Sequence, residues 1–103
     1  MKITFSPIRS DAELTLARAG DILIINGASL NLTALPKGAT LPREAVASEW
    51  IAGPIERDFT GRLHIPIVLP HGPDAPQSRR FPDPITVTAD GPITLPPNSE
   101  ALE

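Results

Sequence analysis

The chain has 103 residues, 41% of them hydrophobic and 20% charged, which suits one core and is too little for two. Its net charge is −3 and its nine basic residues are scattered, so the phosphate-tracking stripe that nucleic acid requires is missing. The lack of cysteine excludes disulfides, thiol catalysis and thiolate metal sites. Thirteen prolines and seven glycines predict many short connections and no long helix.

The first 19 residues predict two strands. Lys2 to Ile8 alternates apolar and polar residues, and Glu13 to Ala19 repeats the pattern with Leu14 and Leu16 facing inward. A polar turn, Ser10-Asp11-Ala12, joins them. The N-terminus has no apolar signal segment and no run is long enough to cross a membrane, so we expect a cytoplasmic protein that makes no membrane contact.

Two apolar segments meet across Asn26-Gly27, the pair favoured in a type I′ hairpin turn. A two-residue loop pairs Ile25 with Ala28 and Leu23 with Leu30, which places these four residues and Leu32 on one core-facing side. Ile22 and Ile24 fall on the opposite side. The pattern therefore predicts a central strand beside a more exposed one.

Residues 33–49 lose the alternation and predict a loop with at most two turns of helix, with Pro42 in the first turn. A second hairpin is predicted from residues 50–57 and 62–69, closed by Asp58-Phe59-Thr60-Gly61. Pro54 and Pro66 interrupt its strands, and edge positions are the expected solution for both, although a bulge or an irregular partner would also serve.

Residues 70–83 form a long irregular segment that we interpret as a functional loop or a partner-docking arm. Residues 85–88 and 93–95 predict two last strands around a turn at residues 89–92. About eight short strands result. The expected fold is all-β, a small antiparallel sandwich or partly open barrel, with one domain over residues 1–97 and a flexible tail over 98–103.

Catalytic patterns are absent from the sequence. His64 and His71 would need to converge with a carboxylate such as Asp74 to bind a metal, and His64 is better explained as a solvent-side strand residue. The serines have no nucleophile-elbow context and the glycines are dispersed, so no phosphate loop is formed. We therefore expect no enzyme activity, cofactor or metal.

The best candidates for partner contact are Trp50, Arg79, Arg80 and Phe81. Arginine and aromatic residues are enriched at the centres of protein interfaces, and the last three lie in the proline-rich segment. Trp50 begins the second hairpin and can either cap the core or anchor an interface, with the core favoured. Phe81 can equally be an ordinary residue at the entry of a strand.

Four segments carry a resemblance to known proteins: ATLPREA (39–45), WIAGPIER (50–57), LPHGPDAP (69–76) and FPDPITV (81–87). Together they resemble a family of uncharacterised, prophage-encoded small proteins found in phage tail and tail-fibre gene neighbourhoods. The resemblance extends over nearly the whole chain, but its motifs are turns and strands without known chemistry. It implies tail or other phage-particle proteins as partners and brings no catalytic residues.

The leading hypothesis is a non-enzymatic structural or assembly component of a phage-like tail particle that acts through protein–protein contacts. It would use the proline-rich loop or exposed strand edges, and it predicts a homo-oligomer and a place in the particle or in its assembly. The alternative is a small-ligand or glycan binding module near Trp50, His64, His71 and the loop that follows, which a cavity lined by Trp50 and both histidines would favour. An enzyme that uses either histidine with Asp74 ranks last.

Overall fold

A computed structural model of the protein describes residues 1–46, 48–73, 79 and 82–95. Along much of the chain, buried residues alternate with exposed ones in short segments that end at turns or prolines. The described residues form nine strands: β1 (Lys2–Arg9), β2 (Leu16–Ala19), β3 (Ile22–Ile25), β4 (Ala28–Asn31), β5 (Thr40–Leu41), β6 (Ile55–Arg57), β7 (Leu63–His71), β8 (Ile85–Thr86) and β9 (Gly91–Ile93). A 3-10 turn, Arg43–Ala45, lies in the segment where a short helix was predicted.

The strands form two sheets, one with the order β5-β6-β7-β1-β8 and the other with the order β4-β3-β2-β9. Their apolar faces pack together, which confirms the predicted all-β sandwich; neither sheet closes into a barrel. The core consists of aliphatic side chains from both sheets and the segments between them: Ile3, Leu14, Leu16, Leu23, Ile25, Leu32, Val46, Ile51, Ile55, Leu63, Ile65, Ile67 and Leu69. Among the described residues, no aromatic side chain is fully buried.

All strand pairs are antiparallel except the longest, β1 with β7, which runs parallel over eight residues from Lys2 opposite His64 to Arg9 opposite His71. This pair forms the centre of the larger sheet. Ile3 faces Ile65 across it, and both are fully buried. Sequence periodicity identifies each strand but not its partner, so the parallel pairing was not predicted.

The hairpin at Asn26-Gly27 is confirmed, with Ile25 opposite Ala28 and Leu23 opposite Leu30. Both turn residues have positive φ, 49° and 84°, as a type I′ turn requires. The side chain of Asn26 also joins this turn to the residue before β2, because its Oδ1 accepts the Thr15 N–H at 2.7 Å. As predicted, β3 is a central strand and β4 is the more exposed neighbour.

The second hairpin is also confirmed: β6 and β7 pair antiparallel, and Gly61 closes the turn with φ 93°. The prediction that Pro66 lies at an edge is wrong, because β7 lies between β6 and β1. Glu56 faces His64 but Ile51 faces Ile67, so a step of five positions in one segment matches a step of three in the other. Pro54 and Pro66 lie at this irregular pairing, which removes the need for their missing N–H donors.

The last two predicted strands exist but are shifted or shorter. β8 contains only Ile85 and Thr86. The predicted turn at residues 89–92 overlaps β9, which begins at Gly91 and includes Pro92 opposite Ala17. A proline is acceptable there because β9 is an edge strand. The predicted tail, residues 98–103, lies outside the described residues.

Arg57, at the end of β6, connects the two sheets. Its side chain is only 10% exposed and its Nη2 contacts Asp21 Oδ2 at 3.2 Å. The guanidinium also donates to the carbonyls of Leu35 at 2.6 Å, Gly61 at 2.9 Å and Leu32 at 2.9 Å. A planar group with five donors suits this convergence of carbonyls, and it fixes both ends of the β3–β4 hairpin to the larger sheet.

Candidate functional site

The strand β4 is the open edge of the smaller sheet. The Leu32 N–H donates to the Asp21 carbonyl at 2.9 Å, which sets the alternation of the ladder between β3 and β4. Ala28 and Leu30 therefore direct their backbone groups toward β3, and Ser29 and Asn31 direct theirs outward. No partner for these outward groups occurs among the described residues. Two N–H donors and two C=O acceptors are thus available along this edge.

The outer strands at the other three sheet edges are shorter than β4 or contain proline. Strand β5 has two residues and ends at Pro42, and β8 has two residues and begins after Pro84. In β9, Pro92 is the residue whose backbone points outward, because its partner Ala17 bonds to β3. A proline offers no N–H, so β9 presents no donor there. Strand β4, by contrast, contains neither proline nor charge.

A cavity of about 410 Å³ lies beside β4. It is lined by residues of the hairpin and of the segment before β6: Ile25, Asn26, Ala28, Ser29, Leu30, Ser48, Glu49 and Trp50. Trp50 is half-buried and packs against the core, while its carbonyl accepts the Val68 N–H at 2.8 Å. Among the described residues that line the cavity, Glu49 alone is charged. The structure therefore places Trp50 both at the core and at the open edge.

The two histidines do not converge, since they lie at opposite ends of β7. His64 Nε2 contacts Asp58 Oδ2 at 2.8 Å, and His71 Nδ1 lies 3.0 Å from the Gly72 carbonyl. His64 is a half-buried residue beside a turn, and its ring pairs with a turn carboxylate. The part of the chain that the structure describes holds no group of three His, Cys, Asp or Glu side chains placed to bind a metal.

Asp58 organises the turn of the second hairpin. Its Oδ1 accepts the N–H groups of Thr60 at 2.9 Å and Arg62 at 3.0 Å, together with the Thr60 hydroxyl. The hydrogen bonds from the Thr60 side chain, His64 and these two amides hold the pKa of Asp58 well below its usual range. The Asp58 carboxyl group therefore stays ionised near neutral pH and does not exchange a proton there.

Of the other three predicted contact residues, only Arg79 is described. It is buried, and its Nε donates to the Pro70 carbonyl at 2.7 Å, so it does not offer the exposed cation that the sequence suggested. Burial lowers the pKa of its guanidinium. Arg80 and Phe81, and most of the predicted docking arm, lie outside the described residues.

A second cavity, of about 400 Å³, is lined partly by Arg18, Arg62 and Asp21. Asp21 is bound by Arg57, and Asp90 lies close by because its Oδ1 accepts the Gly20 N–H at 2.9 Å. Two carboxylates thus stand near the two cavity arginines, and Asp21 is shared with Arg57.

The open edge at β4 was missed at the residue level, although the hairpin that forms it was predicted. The signal was present in the sequence: Ala28-Ser29-Leu30-Asn31 contains no proline, lysine or other charge, the usual means of protecting an edge. The sequence did not show which strands lie at edges, because that depends on pairing between distant segments.

The chain matches no protein-family model, no curated protein and no solved structure. Within the residues that the structure describes, no helix has the length and apolar character needed to span a lipid bilayer.

Proposed function

We propose that the protein is a non-enzymatic structural or assembly component of a phage-like tail particle and that it acts through protein–protein contacts at the β4 edge. The observation that supports the contact is the open ladder at Ser29 and Asn31 in β4, which is the longest of the outer strands and contains neither proline nor charge. Adding a strand to such an edge gives affinity through main-chain hydrogen bonds. The assignment to a tail particle is supported by the resemblance of the four segments described above.

The distribution of chemistry in the fold favours this role over catalysis. The histidines are at opposite ends of β7, and the turn carboxylate Asp58 is engaged by four hydrogen bonds. A catalytic acid or base needs a pKa near the working pH and access to substrate. The described titratable groups with altered pKa are engaged in structural contacts instead.

The test is co-expression of the full chain with phage tail and tail-fibre proteins, followed by size-exclusion chromatography. We expect a complex with one of them that contains the wild-type chain and is lost with Ser29→Pro, because proline removes an outward N–H. The matched control is Ser29→Thr, which keeps the N–H and should keep the complex. Wild-type chain that elutes alone in every combination would contradict the proposal.

A second function, binding of a small ligand or a glycan, is favoured by one observation, the cavity that Trp50 lines. Neither histidine lines that cavity, so the site expected from the sequence is reduced to its aromatic member. Stacking of a sugar on Trp50 predicts quenching or a shift of tryptophan fluorescence, and the chain has only this tryptophan. A panel of monosaccharides that leaves the emission unchanged would remove this candidate.

A further inference from the structure

The β4 edge also defines the geometry of a partner, and this inference rests on the proposed function. A strand that pairs with β4 must meet the outward groups of Ser29 and Asn31 on the same side. It must also place an apolar side chain beside Leu30, on the face toward the cavity that Trp50 lines. The partner strand therefore needs alternation of polar and apolar residues and no charge at its centre.

Strand β4 itself has this pattern. Ser29 and Asn31 are exposed, Leu30 is half-buried, and the strand carries no charge. The chain has a net charge of −3, but β4 itself contributes no carboxylate to a contact between two copies; Glu49 lies in the lining of the adjacent cavity. Like charges placed directly opposite each other destabilise a strand pair, and β4 places none there.

We propose that β4 of one copy pairs with β4 of a second copy, antiparallel, with Leu30 opposite Leu30 on the two-fold axis. In this register Ser29 of each copy faces Asn31 of the other. Each such pair exchanges two hydrogen bonds, so both N–H groups and both C=O groups of the pair have a partner. The two smaller sheets then form one continuous eight-stranded sheet, since each has four strands.

Leu30 explains why this register is preferred. Its backbone groups bond to β3, so the Leu30 pair on the axis is a non-hydrogen-bonded pair, the closer of the two kinds. The second Leu30 side chain lies next to the first and extends toward the cavity between β4 and Trp50. Shifting the register by one residue would direct the outward backbone groups away from their partners.

The size of the contact sets its strength. Four residues a side is well below the roughly 20 residues a side of stable complexes. The dimer should therefore form at high protein concentration and dissociate on dilution. An edge strand accepts one added strand, so the dimer must dissociate before β4 pairs with a tail protein, and this reversibility permits the exchange.

Cysteine cross-linking tests the register, because the chain has no cysteine of its own. In Leu30→Cys the two residues form a non-hydrogen-bonded pair whose Cα atoms would lie about 4.5 Å apart, within the range that a disulfide spans. In the matched control Ala28→Cys, the two residues would be offset by four positions, about 13 Å, and cannot be joined. With oxidised glutathione as oxidant, we expect covalent dimer from Leu30→Cys and little from Ala28→Cys.

Sedimentation equilibrium of the cysteine-free chain supplies the second measurement. We expect reversible dimerisation, with Ser29→Pro raising the dissociation constant at least about tenfold because two symmetry-related hydrogen bonds are lost. Circular dichroism establishes that the variant is folded. Equal cross-linking of both cysteine variants, or a monomer at every concentration, would overturn the inference. A monomer that still forms a Ser29-dependent complex with a tail protein would leave the proposed function standing.

Discussion

The two outer strands of the smaller sheet, β4 and β9, differ in how they meet solvent. Strand β9 has Pro92 where its backbone faces outward, whereas β4 has Ser29 and Asn31 at the corresponding positions. Both strands are short, and neither carries a charge. The difference is therefore one of hydrogen-bond donors. A proline at the centre of one edge protects it from pairing and leaves the other as the place where a strand can be added.

The largest expected effect comes from Arg57, which holds both ends of the β3–β4 hairpin. Arg57→Ala removes four hydrogen bonds of a largely buried guanidinium, to the Leu32, Leu35 and Gly61 carbonyls and to Asp21, and should lower the free energy of unfolding by about 3–5 kcal/mol. Chemical denaturation monitored by Trp50 fluorescence measures it. Arg43→Ala, which loses a single bond to the Ile51 carbonyl, is the control and should cost about 1 kcal/mol. Equal losses in the two variants would show that Arg57 does not anchor the sheet.

Proline scanning of β4 separates its inward from its outward backbone groups. Leu30→Pro removes an N–H that bonds to β3 and should cost about 3 kcal/mol. Ser29→Pro removes an N–H that points outward and should cost about 1 kcal/mol or less. Urea denaturation of the two variants checks the difference. If Ser29→Pro proved as costly as Leu30→Pro, the assignment of an open edge would be wrong.

Acid should loosen the two hairpins unequally. The pKa of Asp58 is lowered in the folded state, so the stability it contributes is present above its unfolded pKa of about 4 and is lost as the pH falls below it. The turn at Asn26-Gly27 relies on an amide side chain that does not titrate. We expect faster amide exchange at Arg62 than at Asn26 when the pH falls from 5 to 3, after correction for intrinsic rates. Asp58→Asn should remove this pH dependence.

The smallest change in stability is expected for Pro92→Ser. The substitution restores an outward N–H on β9 and leaves the ladder to β2 intact, so the free energy of unfolding should change by about 0.5 kcal/mol or less. Its effect should be on association instead, because the sheet then has two open edges. Light scattering should show species larger than those of the wild type. Unchanged scattering would mean that Pro92 does not protect β9.

The local elements of this fold were predictable because their signals are short-range. Asn26-Gly27 fixes a hairpin and its register, and Asp58 to Gly61 closes another. The alternation at Leu14 and Leu16 identified residues that are buried in the structure. Each of these features depends on residues a few positions apart.

The remaining features depend on contacts between distant segments. Pairing of β1 with β7 places Pro66 inside a sheet and not at the expected edge. The irregular pairing with the segment before β6 accommodates its missing N–H. Arg57 looks like an ordinary surface residue in the sequence, yet its four partners lie in three separate segments. Arg79 was expected at the surface and is buried. The β4 edge could be recognised only once the strand order was known.

The parallel pair at the centre of the larger sheet also determines the order in which the chain can fold. Ile3 pairs with Ile65 and Ile85, so β1 has no ladder partner until more than 60 further residues have been synthesised. The β2–β3–β4 meander needs only neighbouring residues and can form first. During translation the meander therefore forms, with its open edge, before the larger sheet can form. Pairing of β1 with β7 closes a long loop and becomes the slow step.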